Sequence, residues 1–256
     1  MKESIFSPEF CDFHTHLHQY DFSDSCLNQI NNNKILTIAC SMDISSYEKT
    51  VEMKNQLGSN FIIPTFGIHP ACANGDLHKD AAFKYMEESP IIGEIGLDFL
   101  WAKNVPKDSQ LEVFKFFLDY CNKSCKYCAI HTKAAEGVIL DALANYPNAR
   151  PIIHWYHGPE KYFKEIISRG YYCTFGVELF HSKYIRKLFK QMPLDKILAE
   201  TDNPESEVWL GGERRDPLLI EDVVKSMAEV RGLSFSEMNE VVLNNSKKIL
   251  QEAGLR

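Results

Sequence analysis

The chain has 256 residues, of which 45% are hydrophobic, and it carries a formal net charge of −7 at pH 7. This length is enough for one large core, either as a single α/β barrel or divided between two smaller domains. The net charge argues against a protein that coats nucleic acid with a broad basic surface, because such binding depends on Lys and Arg neutralising phosphates. It does not argue against a small site where bound cations meet a phosphate.

The sequence also indicates a cellular compartment. No run of about 18 apolar residues is present, so no transmembrane helix is expected. The first ten residues, MKESIFSPEF, lack the apolar stretch of a signal peptide. The eight cysteines are scattered through a chain too large to need disulfides, which favours reduced thiols. These features predict a cytoplasmic protein without membrane attachment.

Short apolar runs rich in β-branched residues alternate along the chain with longer helical patterns, which is typical of βα units and a parallel sheet. The predicted strands are 10–14, 35–40, 61–66, 91–95, 127–131, 151–154, 171–176 and 196–200. The clearest predicted helices are 43–57, 107–125, 133–145, 159–169, 181–191, 216–231 and 235–252. Eight strands, each followed by a helix, predict a (β/α)8 TIM barrel spanning residues 1–256 as a single domain. A doubly wound sheet is the competitor, but no GxGxxG follows the first strand.

Side chains able to bind metals fall at the ends of these predicted strands. They are His14 and His16 after strand 1, Glu94 in strand 4, His131 in strand 5, His154 in strand 6 and Asp202 after strand 8. In a barrel, these positions lie on the C-terminal rim, where such enzymes build their sites. Imidazole and carboxylate groups are ligands for divalent transition metals. The sequence therefore predicts a metal site on this rim.

Four histidines and two carboxylates are more ligands than one tetrahedral ion needs, so the set predicts a two-metal site with a bridging carboxylate. Two ions roughly 3.5–4 Å apart hold a phosphate, activate water and stabilise the leaving oxygen. Glu94 is expected to be the bridge, because Gly93 and Gly96 on either side permit close approach. Asp202 is a candidate ligand, a candidate general base, or both.

The first histidines belong to the run FCDFHTHLHQY, residues 10–20. In an extended strand, alternate side chains point to one face, so Asp12, His14 and His16 share a face. Asp12 is expected to support a metal-bound imidazole. His18 is left out of the metal set, because the strand should have turned into a loop before reaching it.

The ordered segments DFHTHL, GIHP, IIGEIGLDF, AIHTKAAE, IIHWYHG and ETDNP resemble those of TatD-type metal-dependent hydrolases, over residues 10–250. The resemblance implies an amidohydrolase-like TIM barrel that hydrolyses phosphodiesters, typically of DNA. It implies a first metal on His14, His16, Glu94 and Asp202, and a second on Glu94, His131 and His154. By the same resemblance, His69 of GIHP faces the substrate phosphate.

Two segments depart from the family pattern. The sixth-strand segment usually reads HCFSG but here is HWYHG, and this WY variant resembles a TatD-like branch of phage-defence gene clusters. Trp155, beside His154, is a candidate for stacking on a base. The segment GGERRDP stands where an Arg–Asn pair is usual, so Arg214 or Arg215 is expected to contact substrate.

The sequence thus predicts a hydrolase that uses two divalent ions, Zn²⁺, Mn²⁺ or Mg²⁺, to cleave phosphodiester bonds, most specifically an exodeoxyribonuclease on DNA ends. Metal-activated water attacks phosphorus with Asp202 as base, and Glu94 is the second catalytic residue. One alternative is hydrolysis of a lactone, amide or small phosphoester; Lys133, which would serve such chemistry if carbamylated, is expected to face solvent. Another is a subunit of a defence complex. The sequence does not identify protein partners.

Overall fold

The computed structural model describes residues 7–74, 79–212 and 214–255. The chain divides into two compact units, each assembled from separate stretches of sequence. The first unit comprises Met1–Ala39, Lys49–Pro64 and Thr174–Arg256. The second unit comprises Cys40–Glu48 and Thr65–Cys173.

Within the described residues, strands and helices alternate along the chain. The strands are β1 (Phe10–Thr15), β2 (Ile35–Cys40), β3 (Ile62–Thr65), β4 (Ile92–Asp98), β5 (Tyr127–Lys133), β6 (Arg150–Ile153), β7 (Tyr172–Phe175) and β8 (Ile197–Ala199). The helices are α1 (Asn28–Asn32), α2 (Ile44–Leu57), α3 (Lys79–Glu88), α4 (Lys107–Ser124), α5 (Glu136–Leu143), α6 (Glu160–Ser168), α7 (Lys183–Gln191), α8 (Leu219–Arg231) and α9 (Phe235–Glu252).

The strands follow one another in sequence order, as successive βα units require. Three pair in the order β1-β2-β3, and five in the order β4-β5-β6-β7-β8. The pairs β1–β2, β4–β5, β5–β6 and β6–β7 are parallel. Each of the eight predicted strands has its counterpart, so this alternation agrees with the predicted (β/α)8 pattern.

Two of the strands run further than predicted. The sequence ends strand 4 at residue 95 and strand 5 at residue 131, whereas β4 continues to Asp98 and β5 to Lys133. Their last residues pair directly, Asp98 with Lys133, and both are buried. The polar side chains Asp98 and Lys133 therefore belong to the sheet and not to a solvent-facing loop.

Each unit contains its own packed core. In the first unit, seven buried side chains form one hydrophobic cluster: Leu17, Tyr20, Leu27, Ile30, Ala39, Met53 and Ile62. In the second unit, the buried Phe66 ring lies 5.5 Å from Tyr47, 5.4 Å from Tyr85 and 5.9 Å from Phe117, measured between centroids. Aromatic pairs at these spacings stabilise a core beyond their buried area.

Helix α9 begins with a capping box, in which Ser234 and Glu237 satisfy each other's backbone amides. In the described part of the chain, no helix is long and apolar enough to cross a bilayer.

Candidate metal-binding site

In the first unit, three predicted ligands come together; we call His14, His16 and Asp202 the histidine–aspartate group. The two Nε2 atoms of His14 and His16 lie 3.4 Å apart. Asp202 Oδ1 lies 3.7 Å from His14 Nε2 and 3.3 Å from His16 Nε2. Both histidines are buried, whereas the Asp202 side chain keeps 15% of its surface exposed.

Backbone hydrogen bonds hold this group together. The Asp202 amide donates to the His14 carbonyl at 3.0 Å, and the His16 amide donates to the Asn203 carbonyl at 2.7 Å. The Thr15 hydroxyl donates to the same Asn203 carbonyl at 2.9 Å. The loop after β8 is therefore tied along the end of β1, which sets the aspartate beside the two imidazoles.

Asp12 supports this loop by hydrogen bonds to Thr201. Its carboxylate accepts hydrogen bonds from the Thr201 amide at 2.9 Å and the Thr201 hydroxyl at 2.6 Å. Burial raises the pKa of the Asp12 carboxyl to about 7, against the opposing effect of the Thr201 hydrogen bonds. Asp12 thus acts on the backbone next to Asp202, and it also accepts a hydrogen bond from the His14 amide at 3.4 Å. Its contacts reach the backbone of a predicted ligand, and support of an imidazole ring stays a prediction.

In the second unit, a second set of predicted residues surrounds one carboxylate; we call Glu94, His69, His131 and His154 the glutamate group. Glu94 Oε1 lies 2.8 Å from His131 Nδ1, 3.8 Å from His69 Nε2 and 3.7 Å from His154 Nε2. His69 Nε2 lies 3.3 Å from His131 Nδ1. The Glu94 side chain is 1% exposed, so its charge is surrounded by imidazoles in place of water.

Glycines allow the strands of this group to approach one another. A Cβ atom built on Gly96 would lie 2.1 Å from the His131 carbonyl oxygen, and one on Gly67 would lie 2.3 Å from the Glu94 carbonyl oxygen. Neither distance is possible for a real side chain. The absence of a Cβ at both positions therefore brings the backbones that carry Glu94, His131 and His69 into contact.

Asp98 orients one imidazole of the glutamate group. Its Oδ2 atom lies 3.2 Å from His131 Nε2. Burial alone would raise the pKa of Asp98, but hydrogen bonds from His131 and the Trp101 amide lower it to about 2. Burial alone would lower the pKa of His131, but its hydrogen bonds to Asp98 and Glu94 raise it. With Nε2 donating to Asp98, the Nδ1 atom of neutral His131 is left as the metal-binding atom.

The donor atoms fit divalent metal ions in chemistry and spacing. Ligand atoms placed tetrahedrally about 2.1 Å from an ion lie about 3.4 Å from one another. The three distances in the histidine–aspartate group are 3.3, 3.4 and 3.7 Å. The ligand atoms of His69, Glu94 and His131 also lie within 4.8 Å of one another. His18 belongs to none of the ligand groups found among the described residues; its ring packs 5.4 Å from that of His16.

The two predicted substrate arginines are paired with carboxylates. Arg214 contacts Asp216 at 3.1 Å and also pairs with Asp222. Arg215 contacts Asp24 at 2.8 Å. A substrate phosphate would have to compete with these aspartates for either guanidinium group.

Trp155 and Lys133 are both buried. Trp155 is 6% exposed, with its ring 6.3 Å from that of His154. Lys133 is also 6% exposed, and its Nζ donates to the Trp155 carbonyl at 3.1 Å. The prediction that Lys133 faces solvent is therefore wrong, because β5 continues to this residue and carries it into the interior.

Sequence reasoning overlooked Trp101, which lies in the loop after β4. Trp101 is 58% exposed, and the Lys133 ammonium lies 4.9 Å from its ring centroid. One signal in the sequence could have identified it. Trp101 follows by three residues the end of β4, the strand that carries the predicted ligand Glu94.

The chain is similar to known metal-dependent hydrolases and deoxyribonucleases over nearly its whole length. A family model described as TatD related DNase matches residues 11–251. The uncharacterized metal-dependent hydrolase YabD of Bacillus subtilis is 27% identical over 94% of this chain and 98% of its own length. Human deoxyribonuclease TATDN3 is 25% identical over 93% of each chain.

Solved structures agree on the fold. A TatD family hydrolase from Entamoeba histolytica superposes with a TM-score of 0.80 at 18% identity, covering 95% of this chain and 98% of that one. The prediction of an α/β protein with the amidohydrolase-like (β/α)8 TIM-barrel fold is confirmed by this likeness and by the parallel strand order.

Proposed function

The chain belongs to the TatD-related DNase family and is a metal-dependent hydrolase of ester bonds, and on that premise we propose that it cleaves phosphodiester bonds at DNA ends. The observation that carries the proposal is the pair of ligand groups, each of which combines imidazole nitrogen with carboxylate oxygen. The deoxyribonuclease name of the human relative supports DNA as the substrate.

We propose that two divalent ions bind, one at each group. His14, His16 and Asp202 are the proposed ligands of the first ion. Glu94, His131 and His154 are the proposed ligands of the second. The mixed nitrogen and oxygen donors suit Zn²⁺ or Mn²⁺, and the carboxylates also admit Mg²⁺. The bridging role of Glu94 stays a prediction from the sequence.

Divalent ions, when bound, supply charge that offsets that of a phosphate and that acidifies a water molecule. In the proposed reaction, water adds to phosphorus and the Asp202 carboxylate takes the proton that the water loses. The phosphorus–oxygen ester bond breaks, and the leaving oxygen takes a proton from solvent and departs as a hydroxyl group. Asp202 is suited to this role because it is the partly exposed member of its group. Glu94, which is buried, is proposed to keep its charge as a ligand.

His69 is proposed to donate a hydrogen bond to the substrate phosphate. Its Nδ1 atom accepts a hydrogen bond from the Ala71 amide at 3.1 Å. A neutral imidazole that accepts at Nδ1 carries its proton on Nε2, which then donates. This tautomer favours contact with a phosphate oxygen over metal ligation. Arg214, Arg215 and Trp155 stay predicted substrate contacts.

The test uses chelator-stripped protein and labelled single-stranded DNA. Adding Mg²⁺, Mn²⁺ or Zn²⁺ is expected to restore cleavage in the wild type and not in Glu94→Ala. A panel of lactone, amide and phosphodiester substrates identifies the reaction class. If no cation restores DNA cleavage, or if Glu94→Ala behaves like the wild type, the proposal is wrong.

We also propose that residues 1–256 act as one catalytic domain in the cytoplasm. No disulfide links any of the eight cysteines, all of which lie within the described residues, and this supports a reducing compartment. Limited proteolysis that releases a separately folded, active fragment would contradict the single domain.

A further inference from the structure

Trp101 is the most exposed aromatic side chain among the described residues, at 58%. Single exposed hydrophobic residues are common on protein surfaces and by themselves indicate nothing. Trp101 differs from them in two ways. A hydrogen bond fixes its backbone, and a cation lies over its ring. It also follows the predicted ligand Glu94 closely along the chain.

The loop that carries Trp101 is held rigidly. Asp98 Oδ1 accepts hydrogen bonds from the Leu100 amide at 2.8 Å and the Trp101 amide at 2.7 Å. The buried Gln110 side chain donates to the carbonyls of Asp98 at 3.0 Å and of Ala102 at 3.2 Å. A ring on such a loop loses little conformational entropy when it binds a partner.

A cation covers one face of the Trp101 ring. Lys133 Nζ lies 4.9 Å from the ring centroid, a cation–π distance. Lys133 is itself held in place, because it is buried in β5 and donates to the Trp155 carbonyl at 3.1 Å. Because Trp101 is 58% exposed, much of the indole that does not contact this lysine is open to solvent.

The same contacts connect Trp101 to the glutamate group. The Asp98 carboxylate that binds the Trp101 amide through Oδ1 contacts His131 Nε2 through Oδ2, at 3.2 Å. Lys133 follows His131 by two residues on β5. The exposed ring is thus positioned by the two residues that flank a proposed ligand.

We propose that Trp101 stacks on the nucleobase beside the phosphodiester bond that is cleaved, and that Asp98 and Lys133 are its positioning residues. The inference rests on the proposed function and adds a specificity-determining residue to it. A planar ring fixed beside a phosphate-cleaving group matches a base, because stacking on an aromatic side chain tolerates any base. The sequence pointed to Trp155 for this role, but Trp155 is 6% exposed whereas Trp101 is 58% exposed.

The first experiment compares two single-stranded DNA oligonucleotides of identical length, one normal and one with an abasic nucleotide at each end. Wild type is expected to favour the normal oligonucleotide in kcat/KM by about 5- to 150-fold, the range that one stacked base provides. Trp101→Ala is expected to bring this ratio close to 1, by lowering kcat/KM for the normal oligonucleotide far more than for the abasic one. Trp101→Phe is expected to retain most of the preference.

The matched control is Phe83→Ala, which removes another exposed aromatic ring of the same unit, from α3. It is expected to leave the ratio unchanged. A second readout needs no catalysis: with chelator present, fluorescence anisotropy should show that Trp101→Ala weakens binding of the normal oligonucleotide and not of the abasic one.

The outcomes separate the two proposals. If wild type cleaves both oligonucleotides equally, or if Trp101→Ala lowers cleavage and binding of both by the same factor, the stacking role is wrong while the proposed function stands. If wild type with divalent ions cleaves neither the oligonucleotides nor bis(4-nitrophenyl) phosphate, the proposed function fails, and the stacking role fails with it.

Discussion

The histidine–aspartate group and the glutamate group use the same kinds of donor atoms but are held in different ways. In the histidine–aspartate group, backbone bonds between β1 and the loop after β8 place three ligand atoms 3.3–3.7 Å apart. In the glutamate group, the side chains bind one another: Glu94 contacts His131 at 2.8 Å, and His131 also contacts Asp98 at 3.2 Å.

The difference shows how each group is prepared for an ion. The histidine–aspartate spacing already matches that of ligands around a metal. In the glutamate group, the short Glu94–His131 contact requires a proton between the two atoms, and an ion would replace that proton. The first group is thus preorganised by the backbone, and the second by a buried hydrogen-bonded network.

The largest expected effect is on catalysis, at the partly exposed carboxylate. Asp202→Asn is expected to lower kcat for phosphodiester cleavage about 10²–10⁴-fold, because an amide cannot accept the proton from water. The control is Asp195→Asn. Asp195 is an exposed aspartate that precedes β8, whereas Asp202 follows it, so the two lie at opposite ends of the strand. A loss below tenfold in Asp202→Asn would mean that the proton goes elsewhere.

Ion binding should stabilise the fold through each group separately. An ion at 100 times its dissociation constant adds about 2.7 kcal/mol to the free energy of unfolding, or about 5–10 °C in Tm for a chain of this size. His16→Ala and His131→Ala are each expected to lower the bound-ion stoichiometry by one and to retain part of the shift. Titration calorimetry measures the ion stoichiometry, and scanning calorimetry with and without chelator measures the shift in Tm. If either variant loses both ions, the two groups do not bind independently.

A smaller effect is expected on the affinity for metal ions when the hydrogen bonds around the glutamate group are changed. Asp98→Asn is expected to weaken ion binding about 10–100-fold, because it loosens the orientation of His131. The corresponding change beside the other group, Asp12→Asn, should affect ion affinity less, since Asp12 contacts Thr201 and the His14 amide but, among the described residues, no ligand atom. Isothermal titration would contradict the comparison if both substitutions weakened binding equally.

The smallest effects are expected from two buried threonines, one in each unit. The Thr201 hydroxyl donates to Asp12 at 2.6 Å, so Thr201→Val is expected to cost about 1–3 kcal/mol in the free energy of unfolding. The Thr132 hydroxyl has no hydrogen-bond partner among the described residues. Thr132→Val is therefore expected to be neutral, or to stabilise by up to about 1 kcal/mol. Urea unfolding in chelator measures both, and equal losses would contradict the assignment of these hydroxyls.

Local patterns in the sequence were sufficient for the alternation of strands and helices. Short apolar runs rich in β-branched residues identified all eight strands, because strands such as β2, β4 and β5 are buried on both faces. The alternation of side chains in an extended strand placed His14 and His16 on one face, and the glycines beside Glu94 indicated close approach of strands. The boundaries of β4 and β5 were set too early, because polar residues at their ends interrupted the apolar pattern.

By itself, the sequence determined which strand ends carry metal-binding side chains, since those depend on residue type and local spacing. Only the tertiary structure decided which of these side chains meet. Arg215 pairs with Asp24, 191 positions away, and His69 lies beside His131, 62 positions away. It also decided that Lys133 is buried and Trp101 exposed. Such outcomes depend on strand register and loop course, which arise from contacts between residues distant in the chain and are not visible in any short stretch of it.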